Sequence, residues 1–452
     1  MFRAPHRLAV AILAAVLPAL APILARAADT VGDCRIGAYR LADGSLVDIG
    51  ASDGEALRWR RFDGTVGALH KGADGVWTST LGWTDRPDGK TVAFSECAVG
   101  DITFDKVSGH RIAFDVTDTA FDGDGDGVRL AGRLVMPKAG GRVPIVVLIH
   151  GSEDFSARDF YALQRLLPAE GIGVFVYDKR GTGASGGKYS QDFSLLANDA
   201  VAAIREARRL AGPRAGRVGY QGGSEGGWVA PLAASRAPVD FVIVGFGLAV
   251  SVLEEDRSEA ILEMRLKGHG PAEIAKALEI TDAAEAVMAS GSAQDFARFD
   301  AVRAQYRAEP WYKDVHGNFT WMLLPYDEAA LREKGKAMQW GTPWRYDPMP
   351  TLSTVKAPQL WILGQEDLQA PSAETGRRLE TLAARGQPIT LAMVPRAEHG
   401  IYEFETRPDG ERVDTRNPDG YFAMLRDFAR DGRLSGPYGD AVVTPPPANP
   451  PK

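Results

Sequence analysis

The sequence predicts an α/β protein: a mostly parallel sheet flanked by helices, with a small β domain before it and a helical segment inserted into it. Three observations carry that prediction. After about Val128 the chain alternates long apolar runs, "VPIVVLIHG", "GIGVFVYD", "GRVGYQGG", "VDFVIVGFG", "APQLWILG" and "PITLAMV", with helical stretches. Near-continuous runs of this kind are what strands buried on both faces require. Between two of them Leu196, Ala200, Ile204, Ala207 and Leu210 recur at helical spacing, so one face of a helix covers the sheet. Before Thr117 the pattern differs: short strand-like runs are broken by Asp-Gly and Gly-Thr pairs, as in a small antiparallel domain.

In chain order, residues 1–28 read as a secretory signal: Arg3 and Arg7, an apolar run from Leu8 to Leu24, then "ARA" before cleavage after Ala27 or Ala28. Export to the periplasm or beyond is therefore expected. No later run reaches the roughly 18 uninterrupted apolar residues of a membrane span. Residues 29–117 form the β domain, which holds both cysteines of the chain, Cys34 and Cys97. In an exported protein such a pair predicts a disulfide, worth about 4 kcal/mol in the chain-entropy model. Nothing in this domain suggests chemistry, and its partner is not indicated. Residues 118–249 and 351–434 are the two parts of the α/β core, and 250–350 between them read as a helical cap. The proline-rich tail, 435–452, is expected to be disordered. With 45% hydrophobic and 25% charged residues the 452-residue chain has the balance of a globular protein. Its net charge of −7 leaves no basic excess for phosphates, which argues against nucleic acid as a partner.

The chemistry centres on "GGSEG", Gly222 to Gly226, placed after the strand "RVGY" and before the helical start "WVAPLAAS". A serine nucleophile needs a sharp strand-to-helix turn whose small neighbours leave its hydroxyl clear of the sheet, so Ser224 is the candidate nucleophile. It also needs a base, and the base an orienting acid. Of the seven histidines only His399, in "VPRAEHGIYE", follows a late core strand. The strand before it ends in "LWILGQEDLQAP", which offers Asp367 as the acid, with Glu366 as a rival. An oxyanion requires backbone donors, and the amides of Ser152, in "IHGSED", and Glu225 are the candidates. His150 is read as a hydrogen-bonding support for that loop.

These segments, with "HGS" at 150–152, "YDKRGTGASGG" at 177–187, "GGSEGG" at 222–227, "GQEDLQAP" at 364–371 and "EHG" at 398–400, resemble the α/β-hydrolase superfamily. The likeness is to its dienelactone-hydrolase-like and prolyl-oligopeptidase-like branch, over roughly residues 120–250 and 350–432. It implies a serine hydrolase with the order Ser224, Asp367, His399 and no cofactor. Glu225 stands where peptidases of this branch usually carry an aromatic residue. A carboxylesterase is therefore the leading expectation, with an uncharged apolar or aromatic acyl ester as its small-molecule substrate. A serine peptidase and a non-catalytic binding protein on the same fold are the alternatives.

Two further motifs are set aside. "GTGASG", Gly181 to Gly186, resembles a dinucleotide loop, but the next strand ends without the acid that would bind a ribose. It is read as a turn in which Asp178 and Arg180 form an ion pair. "DGDGDG", 122–127, resembles a calcium loop but has Arg133 at the twelfth position, and is read as a hairpin turn, so no metal is expected. For the substrate pocket the expected lining is Gly151 and Trp228 beside the motif, with Trp311, Trp321, Trp340 and Trp344 from the cap, four of the nine tryptophans.

Overall fold

The computed structural model describes residues 30–52, 54–123, 127–138, 140–337 and 340–447. The signal-like segment 1–28 and the centre of "DGDGDG", 124–126, lie outside the described residues.

The first domain is a closed antiparallel barrel of eight strands: β1 (Gly37–Leu41), β2 (Leu46–Ala51), β3 (Leu57–Arg61), β4 (Val66–Lys71), β5 (Trp77–Leu81), β6 (Pro87–Phe94), β7 (Asp101–Phe104) and β8 (Val107–Arg111). Alternate residues, among them Tyr39, Val47, Ile49, Leu57, Trp59, Leu69, Trp77 and Phe104, fill its interior. The Asp-Gly pairs make its turns: Asp43 and Asp63 each accept the amide two residues on, at 2.9 Å. Gly44 and Gly64 follow at φ 83° and 93°, where a side chain would be strained. Closure of β1 on β8 leaves the barrel without a free edge. A disulfide joins Cys34, just before β1, to Cys97 in the β6–β7 connection.

The second domain is built on nine strands: β9 (Phe114–Asp122), β10 (Arg129–Pro137), β11 (Val143–Ile149), β12 (Gly173–Tyr177), β13 (Ala215–Gly223), β14 (Val242–Gly245), β15 (Gln359–Gly364), β16 (Ile389–Val394) and β20 (Val442–Thr444). Their order is β20-β16-β15-β14-β13-β11-β12-β10-β9. The six apolar runs of the sequence are β11 to β16, all mutually parallel and buried on both faces. The start of β9 at Phe114 puts the junction with the barrel a few residues before the expected 117. The tail departs from the expected disorder: Val442–Thr444 pairs antiparallel with β16. The exposed edge of β16 offers unpaired backbone groups, and the short apolar run "AVVT" satisfies them. The remaining small sheet comprises β17 (Ala397–Glu398), β18 (Tyr402–Thr406) and β19 (Arg412–Arg416).

Helices α1 (Ala157–Phe160), α2 (Leu163–Ala169), α3 (Phe193–Ala211) and α4 (Gly226–Arg236) lie within the first part of the core. On α3, Leu196, Ala200, Ile204 and Ala207 are buried as the spacing requires, and the Asp192 side chain caps its first turn. The cap comprises α5 (Val252–Leu266), α6 (Pro271–Ser290), α7 (Ala293–Tyr306), α8 (Thr320–Leu323), α9 (Glu328–Ala337) and α10 (Met349–Leu352), all between β14 and β15. It has its own core, including Met264, Ile280, Val287, Phe296, Phe299 and Trp311. Helices α11 (Ser372–Ala384) and α12 (Tyr421–Asp431) complete the second part. Among the described residues no helix is long and apolar enough to cross a membrane.

Candidate active site

Strands β11 and β13 are neighbours, with Ile149 opposite Gly222, so the loops that leave their carboxyl ends emerge side by side. The chain runs from β11 to β12 on one flank and reaches β13 on the other, which makes this the switch point where open α/β sheets bind ligands. Ser224 sits there, between β13 and α4, at φ 52°. A non-glycine residue in this region is strained by about 1–3 kcal/mol and persists only where its surroundings enforce it. Here they do: the Ser224 amide donates to Gly245 O at 3.2 Å and the Gly227 amide to Ser224 O at 2.7 Å. The flanking glycines are equally constrained. A Cβ on Gly222 would lie 2.4 Å from Gly226 O, and one on Gly226 would lie 2.8 Å from His150 O.

His399 follows β17, and its Nδ1 faces both oxygens of Asp367, at 3.0 and 3.2 Å. Asp367 follows β15 and is also held by the Ala370 amide at 2.8 Å. Both side chains are buried, at 8% and 2% exposure. Burial alone would pull the imidazole down, but Asp367 outweighs it and His399 titrates above its ordinary 6.5. The rival acid Glu366 instead faces Arg412, at 3.6 Å. Phe246, at φ 42° after β14, connects the two halves of the site. Its ring packs edge-on against His399 at 4.9 Å and covers Gly223, where a Cβ would meet it at 2.3 Å.

On the other side of Ser224 lies the "HGSED" loop. A Cβ on Gly151 would be 3.6 Å from the Ser224 Cβ, so this backbone lies directly against the serine. The Gly151 amide is taken by Glu153 Oε1 at 3.2 Å. No acceptor among the described residues reaches the amides of Ser152 or Glu225, which leaves both able to donate to a ligand. His150 acts as the expected loop support: the Lys179 amide donates to its Nε2 at 3.0 Å.

Sequence reasoning missed Lys179. It is 2% exposed, donates to Gly151 O at 2.7 Å and to Glu225 Oε1 at 3.0 Å, and lies 4.5 Å from the centre of the Tyr189 ring. It thus joins the residue after Ser224 to the loop beside it. Burial raises the Glu225 carboxyl to about 7, with Lys179 opposing the rise and Glu153 adding to it. The expected ion pair of Asp178 with Arg180 does not describe the turn. Arg180 forks onto Asp199, at 2.7 Å to each oxygen, while Asp178 accepts from Ser156 Oγ and the amides of Arg158 and Ala184. Both residues lie beyond the end of β12, where the turn and not strand alternation sets the direction of each side chain.

The expected pocket lining is dispersed. Trp311, 2% exposed, packs on Tyr306 inside the cap's core, and Trp228, 5% exposed, stacks on Phe193 beneath the site. The ring area of both is taken up by these neighbours and little of it is exposed. Trp344 meets Phe319 edge-on and Trp321 stacks on His316 at the cap surface. Trp340 approaches the loop of Ser152, edge-on to Tyr189, whose hydroxyl donates to Ser152 O.

The cap also brings acids toward the site. Glu255 on α5 is 4% exposed and takes a hydrogen bond from Asn318. Burial holds it well above the usual carboxylate range, reinforced by Asp256, Asp367 and Glu225. Among the described residues one group has donor atoms close enough to share a cation: Glu259, Glu263 and His316, also in the cap.

Comparison with known proteins gives a family and a set of distant structures. The chain is similar to the esterase Pf2001 of Pyrococcus furiosus (16% identity over 63% of this chain and 84% of that one, TM-score 0.40). It is also similar to the acylaminoacyl peptidase of Pyrococcus horikoshii (15% identity, 86% and 55% covered, TM-score 0.42). A third likeness is to Est1E of Butyrivibrio proteoclasticus, solved with ferulic acid (14% identity, 70% and 97% covered, TM-score 0.38). No curated protein matches the sequence. The model of the X-Pro dipeptidyl-peptidase (S15) family matches residues 126–400, from β10 through the cap to His399 and Gly400. That span is more than half of the chain, and the protein is a member of the S15 family with an α/β-hydrolase fold.

Proposed function

We propose that the protein is an exported serine hydrolase of carboxylic acyl bonds in which Ser224 is the nucleophile, His399 the base and Asp367 its orienting acid. The observation that carries this reading is the enforced φ of 52° at Ser224, on the same sheet edge as the Asp367–His399 pair. In the first step Ser224 Oγ attacks the acyl carbon while His399 Nε2 takes its proton, and Asp367 stabilises the imidazolium that results. The amides of Glu225 and Ser152 receive the oxyanion. His399 then gives the proton to the leaving group, and water, activated by the same imidazole, releases the acid and restores Ser224. No cofactor enters this cycle.

Esters are the leading substrates. The Phe246 ring beside His399, and the Tyr189 and Trp340 rings on the oxyanion side, suit an uncharged apolar or aromatic acyl group. One observation favours peptides instead: burial and the neighbouring acids hold the Glu255 carboxyl above the usual carboxylate range, and the ammonium of a peptide amino terminus would supply the counter-charge it lacks. A fluorophosphonate probe tests the shared chemistry. It is expected to label the wild type and not Ser224→Ala, and equal labelling of the two refutes the assignment. A panel of p-nitrophenyl esters and aminoacyl-prolyl anilides then separates the readings, since faster turnover of the anilides makes the protein a peptidase.

A further inference from the structure

Glu259 and Glu263 are four residues apart on α5, and therefore one above the other on a single helix face. His316, on the segment leading to α8, meets that face. Both carboxylates approach the same ring atom: Glu263 Oε2 lies 3.1 Å and Glu259 Oε1 3.6 Å from Nδ1. The three donor groups all lie within 4.8 Å of one another. Trp321 stacks on the imidazole with the planes 9° apart, which fixes the orientation of the ring.

Two carboxyl groups converge on one nitrogen, and Nδ1, which offers at most one N–H, can satisfy only one of them. Glu259 is 4% exposed, and its second oxygen, Oε2, is buried with no hydrogen-bond partner among the described residues. The cap contains its own contrast. His269 also lies between two acids, but Asp314 is at Nε2 (2.9 Å) and Glu273 at Nδ1 (3.4 Å), so each ring nitrogen has its own partner and no point is shared.

We propose that Glu259, Glu263 and His316 form a binding site for a divalent first-row transition cation, with Zn2+ the best match. One imidazole nitrogen with two carboxylates is a zinc-type donor set, whereas magnesium and calcium prefer oxygen alone. The spacing agrees. Ligands about 2.0 Å from a tetrahedral centre are about 3.3 Å from one another, and the two nitrogen-to-oxygen distances here bracket that value. The cation would take up the charge of both carboxylates, keep a position for water, and tie α5 to the segment before α8. It would brace the cap rather than take part in acyl transfer.

Isothermal titration of the chelator-stripped full chain with Zn2+ tests this. The expected result is one equivalent bound at micromolar Kd or tighter, with a rise in the unfolding temperature. Glu263→Gln and His316→Gln should each weaken binding at least tenfold, while Glu273→Gln at the His269 pair should not. Glu263 is less buried than Glu259 and glutamine keeps its shape, so this variant remains usable if the His316 variant does not fold. Absence of binding by the wild type overturns the proposal. Undiminished binding by folded Glu263→Gln overturns it as well, because the cation would then be held elsewhere.

Discussion

Glu225 is 3% exposed, lies directly after Ser224, and has Lys179 as its partner at 3.0 Å. Burial raises its carboxyl from 4.5 to about 7 despite that lysine. An acid whose folded value exceeds its unfolded value holds its proton more tightly in the native state. Its contribution to stability is therefore complete below pH 4.5, declines as the pH rises, and levels off above about 7. The rise from 4.5 to about 7, at about 1.4 kcal/mol for each tenfold gain in proton affinity, makes that decline about 3 kcal/mol. Glu225→Gln removes the titration while keeping shape, and its amide oxygen can still accept from Lys179. Urea unfolding of both proteins from about pH 4.5 to about pH 8 measures the effect. The wild type should lose about 3 kcal/mol relative to the variant across this range, most of it before pH 7. Buried acids that do not feel Glu225, such as Asp414, titrate in both proteins and cancel in the difference. A difference that stays flat, or that grows in favour of the wild type as the pH rises, would refute the account of this pair.

Asp367→Asn should lower turnover on the order of 10³-fold or more, because the imidazole loses its orienting acid, whereas Glu366→Gln should change it by less than about tenfold. Steady-state rates of the two variants decide the matter, and the opposite ranking would transfer the role to Glu366. Since Asp367 holds His399 above 6.5 and the base works only when neutral, kcat/KM should fall as the pH drops through a midpoint above that value. A pH-rate profile whose acidic limb lies well below 6.5 would contradict it.

The six parallel strands were legible because burial on both faces demands unbroken apolar runs, and β11 to β16 have them. Half of the barrel was not. β3 reads "LRWRR" and β4 "VGALHK", whose interior residues alternate with charged or small ones over too few positions to stand out. Ser224, Asp367 and His399 could be singled out as candidates because each follows a strand in a motif of limited length. Lys179, Glu398 and Arg412 could not, since their roles depend on partners far away in the chain. Tryptophan content likewise marks a need to bury ring area without saying against what, and so Trp311 in the cap's core and Trp340 near Ser152 look the same in sequence.

The barrel, silent in its own chemistry, bears on the loop that carries His399. Glu398 accepts from the Leu368 amide at 2.6 Å and the His399 amide at 3.2 Å, so a single carboxylate joins the loops of acid and base. Arg412 of β19 pairs with Glu398 and donates to Glu366 O at 2.6 Å, which ties both loops to the β18–β19 hairpin. That hairpin in turn leans on the barrel. The Trp83 amide donates to Asp414 O and the Asn417 amide to Gly64 O, each at 2.9 Å. The Trp83 ring meets Tyr402 edge-on at 4.6 Å, and the Arg58 guanidinium lies over the Trp83 ring, 4.3 Å from its centre. The fit at this junction is close: a Cβ on Gly82 would lie 2.5 Å from Asp414 O. A catalytic hydrogen bond tolerates displacements well below 1 Å. The proposed base His399, unlike the proposed nucleophile Ser224 just after β13, therefore depends on a second domain for its position, and the eight-stranded barrel supplies a rigid wall for a hairpin too small to be stable alone.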